Sequence, residues 1–282
     1  MRVPVISTIT LRFFRRIVRG CLRRHFHGVR ASGAERFAEL GVPNTGPVIV
    51  YANHGSWWDP MVSIYLAERL MTRRQHYAPM DAAALERYGI LKRVGMFGVK
   101  MNSTLGAMEF LKTSEAILGV GGVLWITPQG RFVDTRSRPL EFKHGLATLA
   151  TRVANSTGRC TMIPLAIEYT FWDERLPECL LLFGKPVKVE AGQSADMVHR
   201  RTLESLELAM DELAAMGMGR DASRFDTLTQ ARVGTGGCYG WWEKLRGLSA
   251  RRAYHAEDVV SIDRKVNRKE NLDTHKVRRE NV

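Results

Sequence analysis

The chain has 282 residues, 45% hydrophobic and 25% charged, with a formal net charge of +13. That is the composition of a folded globular protein, long enough for one large layered domain plus an appendage. No apolar run reaches roughly eighteen residues, so a spanning helix is not expected, and the basic balance fits nucleic acid, an anionic membrane surface or an acidic substrate.

Cys21, Cys160, Cys179 and Cys238 lie far apart and form no C-x-x-C pair. Neither a zinc site nor a disulfide framework follows, and free thiols in a reducing cytosol are the expectation. His25-Phe26-His27 is too isolated to argue for a metal.

Residues 3–24 place Ile6, Ile9, Phe13, Phe14, Ile17, Val18 and Cys21 at helical spacing, with Arg12, Arg15, Arg16, Arg19, Arg23 and Arg24 filling most of the rest. No acidic residue precedes Glu35. This basic amphipathic helix has three readings. It lies in a lipid interface with its arginines on phosphates. It packs on the domain with a solvated basic face. Or it is an Arg-rich, acid-poor transit peptide. The arginines interrupt any apolar core that a secretory signal needs.

Residues 31–46 read as a loop. Residues 48–51 are a short β-branched apolar run bounded by Gly46 and Pro47, the pattern of a buried strand. At Asn53 the chain turns polar, and Asp59-Pro60 is a helix-start signal. His54 and Asp59 therefore share one strand-to-helix connection. A neutral imidazole can take a proton from an alcohol, and a nearby carboxylate holds its tautomer. The plainer reading makes Asp59 a helix cap and His54 an ordinary turn residue.

Helices are expected over 60–71, 81–94 (capped by Asp81), 103–118 (capped by Ser103), 145–155 and 194–216. Strands are expected over 75–80, 95–100, 123–127, 161–169 and 180–189, the last interrupted by Gly184 and Pro186. Residues 123–127 are almost wholly apolar and read as central. They run into Pro128-Gln129-Gly130-Arg131, and residues 95–100 end in Lys100, a cation for phosphate or simply a solvated strand end. Pro164 reads as a strand-edge feature. Gly119-Val120-Gly121-Gly122 precedes a strand and so is no dinucleotide fingerprint.

The alternation predicts an α/β fold: a layered sandwich with a mixed central sheet flanked by helices, an N-terminal amphipathic helix and a helical C-terminal extension. The expected boundaries are 1–30, 31–216 and 217–282. Residues 234–240 are a Gly-rich linker, 241–248 a short apolar-basic helix, and from Ala256 the chain is mostly charged, an exposed helix or disordered. There is no internal repeat.

Asn53-His54-Gly55-Ser56-Trp57-Trp58-Asp59 resembles the N-H-x-S-x-x-D block of the glycerolipid acyltransferases, the lysophosphatidic acid and glycerol-phosphate enzymes. Three further stretches resemble that family in order. Gly95-Met96-Phe97-Gly98-Val99-Lys100 stands where the family has a Gly-x-x-Phe-x-x-Arg block. Pro128-Gln129-Gly130-Arg131 stands where it has Phe-Pro-Glu-Gly-Thr-Arg-Ser, with Gln129 for the usual Glu and Arg131 one place early. Residues 161–169 match its apolar run around Pro. Phe142-Lys143-His144-Gly145 also resembles its F-K-x-G.

The resemblance implies a membrane-associated enzyme that transfers a fatty acyl group from acyl-coenzyme A or acyl carrier protein to a lipid hydroxyl, with no other cofactor and no metal. His54 is then the general base, Asp59 its partner, and Ser56 a turn residue rather than a nucleophile. Lys100, Gln129, Gly130 and Arg131 are the implied substrate-binding residues, with Arg136, Arg138 and Lys143 as further phosphate ligands. A Gln cannot accept with the full charge of a Glu but can also donate. The acceptor is thus a lysophospholipid such as lysophosphatidic acid, or an uncharged hydroxyl of a glycolipid or glycosylated terpenoid. A non-catalytic lipid-binding relative is the alternative class. From the arginine stripe beside the apolar face of residues 1–24, the expected place is peripheral, on the cytoplasmic face of an anionic membrane. Nucleic-acid binding rests on charge alone, without a fold signature, and is not expected.

Overall fold

The computed structural model describes residues 3–35 and 46–231. The elements in chain order are α1 (Thr8–His25), β1 (Gly28–Ser32), β2 (Val48–Ala52), α2 (Asp59–Leu70), β3 (His76–Asp81), α3 (Ala82–Arg87), a 3-10 segment (Gly89–Val94), β4 (Met96–Val99), α4 (Thr104–Gly119), β5 (Val123–Ile126), α5 (Gly145–Thr157), β6 (Arg159–Thr170), β7 (Glu178–Phe183), β8 (Val187–Glu190), α6 (Ala195–Met218) and β9 (Asp226–Gln230).

The strands form one mixed sheet in the order β4-β3-β5-β2-β6-β7-β1-β9, with β8 paired to β6. The run β4, β3, β5, β2, β6 is parallel throughout. β7 and β8 run antiparallel to β6, β1 is parallel to β7, and β9 is antiparallel to β1. The α/β class with a mixed central sheet is therefore as the sequence predicts. One consequence positions the site. The segments that follow β2, β4 and β5 all leave the sheet at the same edge, beyond the carboxyl ends of parallel strands, where ligands collect in open α/β sheets.

Alternate residues of β2 face opposite layers. Val48, Val50 and Ala52 pack with Val18 and Leu22 of α1 and with Val62, Tyr65 and Leu66 of α2. The other face is covered by α4, α5 and α6, whose Ile117, Leu149 and Leu206 are fully buried. Both faces being covered explains why β2 and β5 read as continuous apolar runs.

Several expectations are corrected. β1 and β9 are strands that the sequence hides. In β1 a buried Arg30 breaks the apolar pattern. Its guanidinium donates to Glu178 of β7 (Nε–Oε2 3.0 Å) and to Thr227 of β9 (2.7 Å), and His27 Nδ1 meets the same carboxylate at 2.5 Å. β9 is an edge strand of mostly polar residues, so it carries no alternation to detect. The helix expected over 81–94 breaks after Arg87 into a 3-10 turn at Gly89. Asp81 does cap it, accepting the Ala84 N–H at 3.0 Å.

Pro164 is not at an edge, because β6 is interior and Pro164 faces Tyr51 of β2. Its missing N–H falls where β7 gives way to β8. There Gly184 donates to the Pro164 carbonyl at 2.9 Å, and a Cβ on Gly184 would lie 2.9 Å from the proline ring. The irregularity around Gly184 thus accommodates a proline inside a sheet.

One compact unit comprises Met1–Thr170 and Pro177–Ala231. It does not break at residue 30, because α1 is part of the core, nor at residue 216, because β9 completes the pairing of β1. The other unit comprises Phe171–Leu176 and Arg232–Val282, of which only the loop Phe171–Leu176 is described. The linker expected at 234–240, the helix at 241–248 and the charged tail lie outside the described residues. Among the described residues no helix is long and apolar enough to cross a membrane.

Candidate active site

Asn53 ends β2 by turning its side chain into a strand partner. Its Nδ2 donates to the Ile167 carbonyl at 2.9 Å, and its Oδ1 accepts the Ile167 N–H at 2.8 Å. The buried amide so replaces one rung of the ladder with β6 and pins the turn that follows.

On that turn His54 Nδ1 lies 2.7 Å from Asp59 Oδ2. The Asp59 side chain is 2% exposed. Its Oδ2 also accepts the Ser56 N–H at 3.0 Å, and its Oδ1 accepts the Tyr169 hydroxyl at 2.7 Å. An ionised carboxylate only accepts, so the His54 proton sits on Nδ1 and the Nε2 lone pair is left outward. The geometry does not bear out Asp59 as a side-chain cap of its helix. Helix α2 starts at Asp59 itself, with Trp58 in the cap position and no side-chain cap bond. The carboxylate turns back to the loop rather than onto its own helix. Ser56 Oγ accepts the Trp58 N–H at 3.2 Å, a turn-stabilising bond.

The segment after β5 folds over this turn. Gln129 is buried, and its Oε1 accepts the His54 backbone N–H at 2.7 Å. The Val133 N–H donates to the His54 carbonyl at 2.8 Å. The main chain of His54 is thus held on both sides by one loop. Between those anchors the Phe132 ring lies 4.4 Å from the His54 ring and is 60% exposed. Gly130 has φ +65°, a backbone conformation that favours glycine, whereas the nearest atom to a Cβ there would be Lys143 Cε at 2.8 Å, the movable end of a flexible side chain.

Residues 29–168 match the family model described as Acyltransferase. The chain belongs to the acyltransferase family. The resemblance to that family is thereby borne out. Among solved structures, this acyltransferase is similar to the 1-acyl-sn-glycerophosphate (LPA) acyltransferase PlsC from Thermotoga maritima. The TM-score is 0.54 at 15% identity, covering 73% of this chain and 80% of that one, which is a likeness of fold. No curated protein matches the sequence.

Of the residues singled out by sequence, the fold of this acyltransferase brings His54, Asp59, Gln129, Gly130 and Arg131 to one edge. A cavity of about 420 Å³ beside them is lined by Met101, Asn102, Gln129, Gly130, Arg131, Glu141, Phe142 and Lys143. Lys100 leaves β4 at the same edge, next to Met101, but does not itself line the cavity. Arg131 is paired with Glu141 at 2.9 Å on the surface. Arg136 is paired with Asp134 at 2.8 Å and Arg138 with Asp211 at 2.5 Å. Three of the expected phosphate cations are thus already partnered by carboxylates, though exposed pairs of this kind are weak. Among the described residues there is no group of three or more His, Cys, Asp or Glu that could hold a metal ion.

Sequence reasoning gave no role to Asn53, Phe132 or Tyr169. The signal for Tyr169 was present: in β6 it shares the side of Ile163, Leu165 and Ile167, the side packed on α1 and α2. Phe132 carried none, because its contact with His54 depends on how the loop folds back.

Proposed function

We propose that this acyltransferase moves a fatty acyl group from acyl-coenzyme A or acyl carrier protein to the hydroxyl of a lysophospholipid such as lysophosphatidic acid. The observation that carries the reading is the His54–Asp59 pair, with Nδ1 bound at 2.7 Å and Nε2 directed away from its partner. His54 Nε2 takes the proton of the acceptor hydroxyl as its oxygen attacks the thioester carbonyl. The tetrahedral intermediate then collapses, the C–S bond breaks, and the leaving thiolate takes the proton back from the imidazolium. Asp59 offsets the imidazolium charge between those steps. No covalent acyl-enzyme is needed. Gln129, Gly130 and Arg131 would hold the acceptor's headgroup in the cavity they share with Lys143, and Lys100 would act from just beyond it.

A second reading, an uncharged acceptor such as a glycolipid hydroxyl, is favoured by one observation. The side chain against His54 is the phenyl ring of Phe132, and Arg131 next to it is engaged by Glu141. An acceptor panel with labelled acyl-coenzyme A and acyl carrier protein separates the readings. Transfer to lysophosphatidic acid supports the first, transfer only to glycolipids the second. No transfer to any acceptor would leave the non-catalytic relative. His54→Ala should abolish whichever transfer is found. A folded His54→Ala protein with near-normal transfer would overturn the mechanism.

We further propose that α1 attaches the protein peripherally to the cytoplasmic face of an anionic membrane. Its apolar residues divide between two faces. Val18 and Leu22 are buried in the core, while Ile9, Phe13 and Ile17 form a stripe turned outward. Arg12, Arg16, Arg23 and Arg24 are exposed alongside that stripe. Apolar side chains flanked by arginines suit the boundary between acyl chains and phosphates.

A further inference from the structure

We infer that Tyr169 is a positioning residue of this acyltransferase, holding the free oxygen of Asp59 so that the carboxylate keeps His54 in its working orientation. The inference rests on the acyl-transfer reading of the His54–Asp59 pair.

The argument starts from the carboxylate. Asp59 Oδ2 receives two donors, His54 Nδ1–H and the Ser56 N–H. Oδ1 receives the Tyr169 hydroxyl at 2.7 Å. The torsion that spins a carboxylate is broad and roughly two-fold, so a group held at one oxygen alone rotates easily. Bonds on both oxygens fix its plane, and that plane sets the direction of the His54 ring. Removing the hydroxyl would also leave Oδ1 as a charged acceptor in a site that is 2% exposed.

Tyr169 is suited to the task. Burial, followed by the neighbouring Cys179 and Asp59, raises its ionisation well above the ordinary tyrosine range, so it remains an O–H donor. Its ring is packed 5.4 Å from that of Phe26, and Phe26 in turn meets Trp58 edge-on at 5.1 Å. Phe26 is the C-cap that follows α1, and Trp58 immediately precedes Asp59. The hydroxyl is therefore held from one side by β6 and from the other by the end of α1. Nothing in the sequence pairs residue 169 with residue 59; β6 and the turn after β2 bring them together.

The test is Tyr169→Phe, which keeps the ring and its packing on Phe26. It is measured alone and in an Asp59→Asn background, with steady-state kinetics and thermal melting. In the otherwise native protein kcat should fall about tenfold, the scale of a lost hydrogen bond to a charged group, with KM for donor and acceptor within about twofold. In the Asp59→Asn background the same change should cost little more, because Tyr169 acts through that carboxylate. Native kcat in Tyr169→Phe, an equal loss in both backgrounds, or a loss confined to KM would each overturn the inference. His54→Ala in the same assay keeps the two claims apart. Activity surviving His54→Ala would sink the acyl-transfer mechanism, whereas an inactive His54→Ala beside a fully active Tyr169→Phe would sink only the role of Tyr169.

Discussion

The side-chain oxygen of Gln129 accepts the backbone N–H of His54 at 2.7 Å. This bond joins the segment after β5 to the segment after β2, two neighbouring parallel strands. It also fixes which end of the amide faces His54, since a backbone N–H needs an acceptor. The other end of the amide is its NH₂ group, a donor, on a residue that lines the cavity.

Gln129→Ala should remove the acceptor and leave the His54 N–H without a partner. The expected cost is about 1–3 kcal/mol of stability, together with a fall in kcat as the turn loosens. Gln129→Glu keeps an acceptor at the same place and should retain the fold and much of the activity. Urea melts and steady-state rates on both variants check this. Equal behaviour of the two would mean that the bond to His54 is not what the position supplies.

Asp59→Asn should lower kcat by about 10²–10⁴, because the neutral amide neither offsets an imidazolium nor dictates the His54 tautomer. Three donors converge on Asp59, so placing an NH₂ among them should also cost some stability. That cost is not the loss of a helix cap, since α2 has no side-chain cap bond. Rates and melting temperature measured together decide the matter. Near-native kcat would contradict the pairing.

Ile9→Ser with Phe13→Ser should weaken binding to anionic vesicles and leave the melting temperature nearly unchanged, because both side chains point outward. Leu22→Ala, on the same helix but wholly buried, should instead lose about 2–5 kcal/mol of stability. Vesicle co-sedimentation at low and high salt, with a thermal melt of each variant, reads both effects. Unaltered sedimentation of the double variant would remove the membrane role of this face.

His76 predicts a pH effect on stability. Its Nδ1 accepts the Trp125 indole N–H at 2.9 Å, and its Nε2 lies 2.8 Å from the Met71 carbonyl, so the ring is held neutral. Burial, reinforced by Arg15 and Arg74 and partly opposed by the Met71 carbonyl, lowers its pKa from 6.5 to about 4. The folded state thus binds the proton less readily than the unfolded chain. The stability involved is present above about pH 6.5 and is lost as the pH falls toward 4, by about 3 kcal/mol in all. Urea melts of the native protein and His76→Gln between pH 7 and 4 should show a shallower acid decline in the variant. Parallel curves would show that another group governs the decline.

Much of the central sheet was legible because its strands are short, β-branched and apolar on both faces. The helices that cover it announce themselves by side-chain period and by caps such as Asp81 and Ser103, both of which accept a backbone N–H as expected. The sequence by itself determined the α/β class, the strand-to-helix turn carrying His54 and Asp59, and the loop bearing Gln129, since these rest on local spacing. Only the tertiary structure decided the rest. It turned the Asp59 carboxylate toward His54, Ser56 and Tyr169, set Phe132 over the imidazole, divided the apolar residues of α1 between core and surface, and added β1 and β9. Each of those outcomes depends on chain segments distant in sequence meeting in space, and helical or strand period records which way a side chain points, not what waits there to receive it.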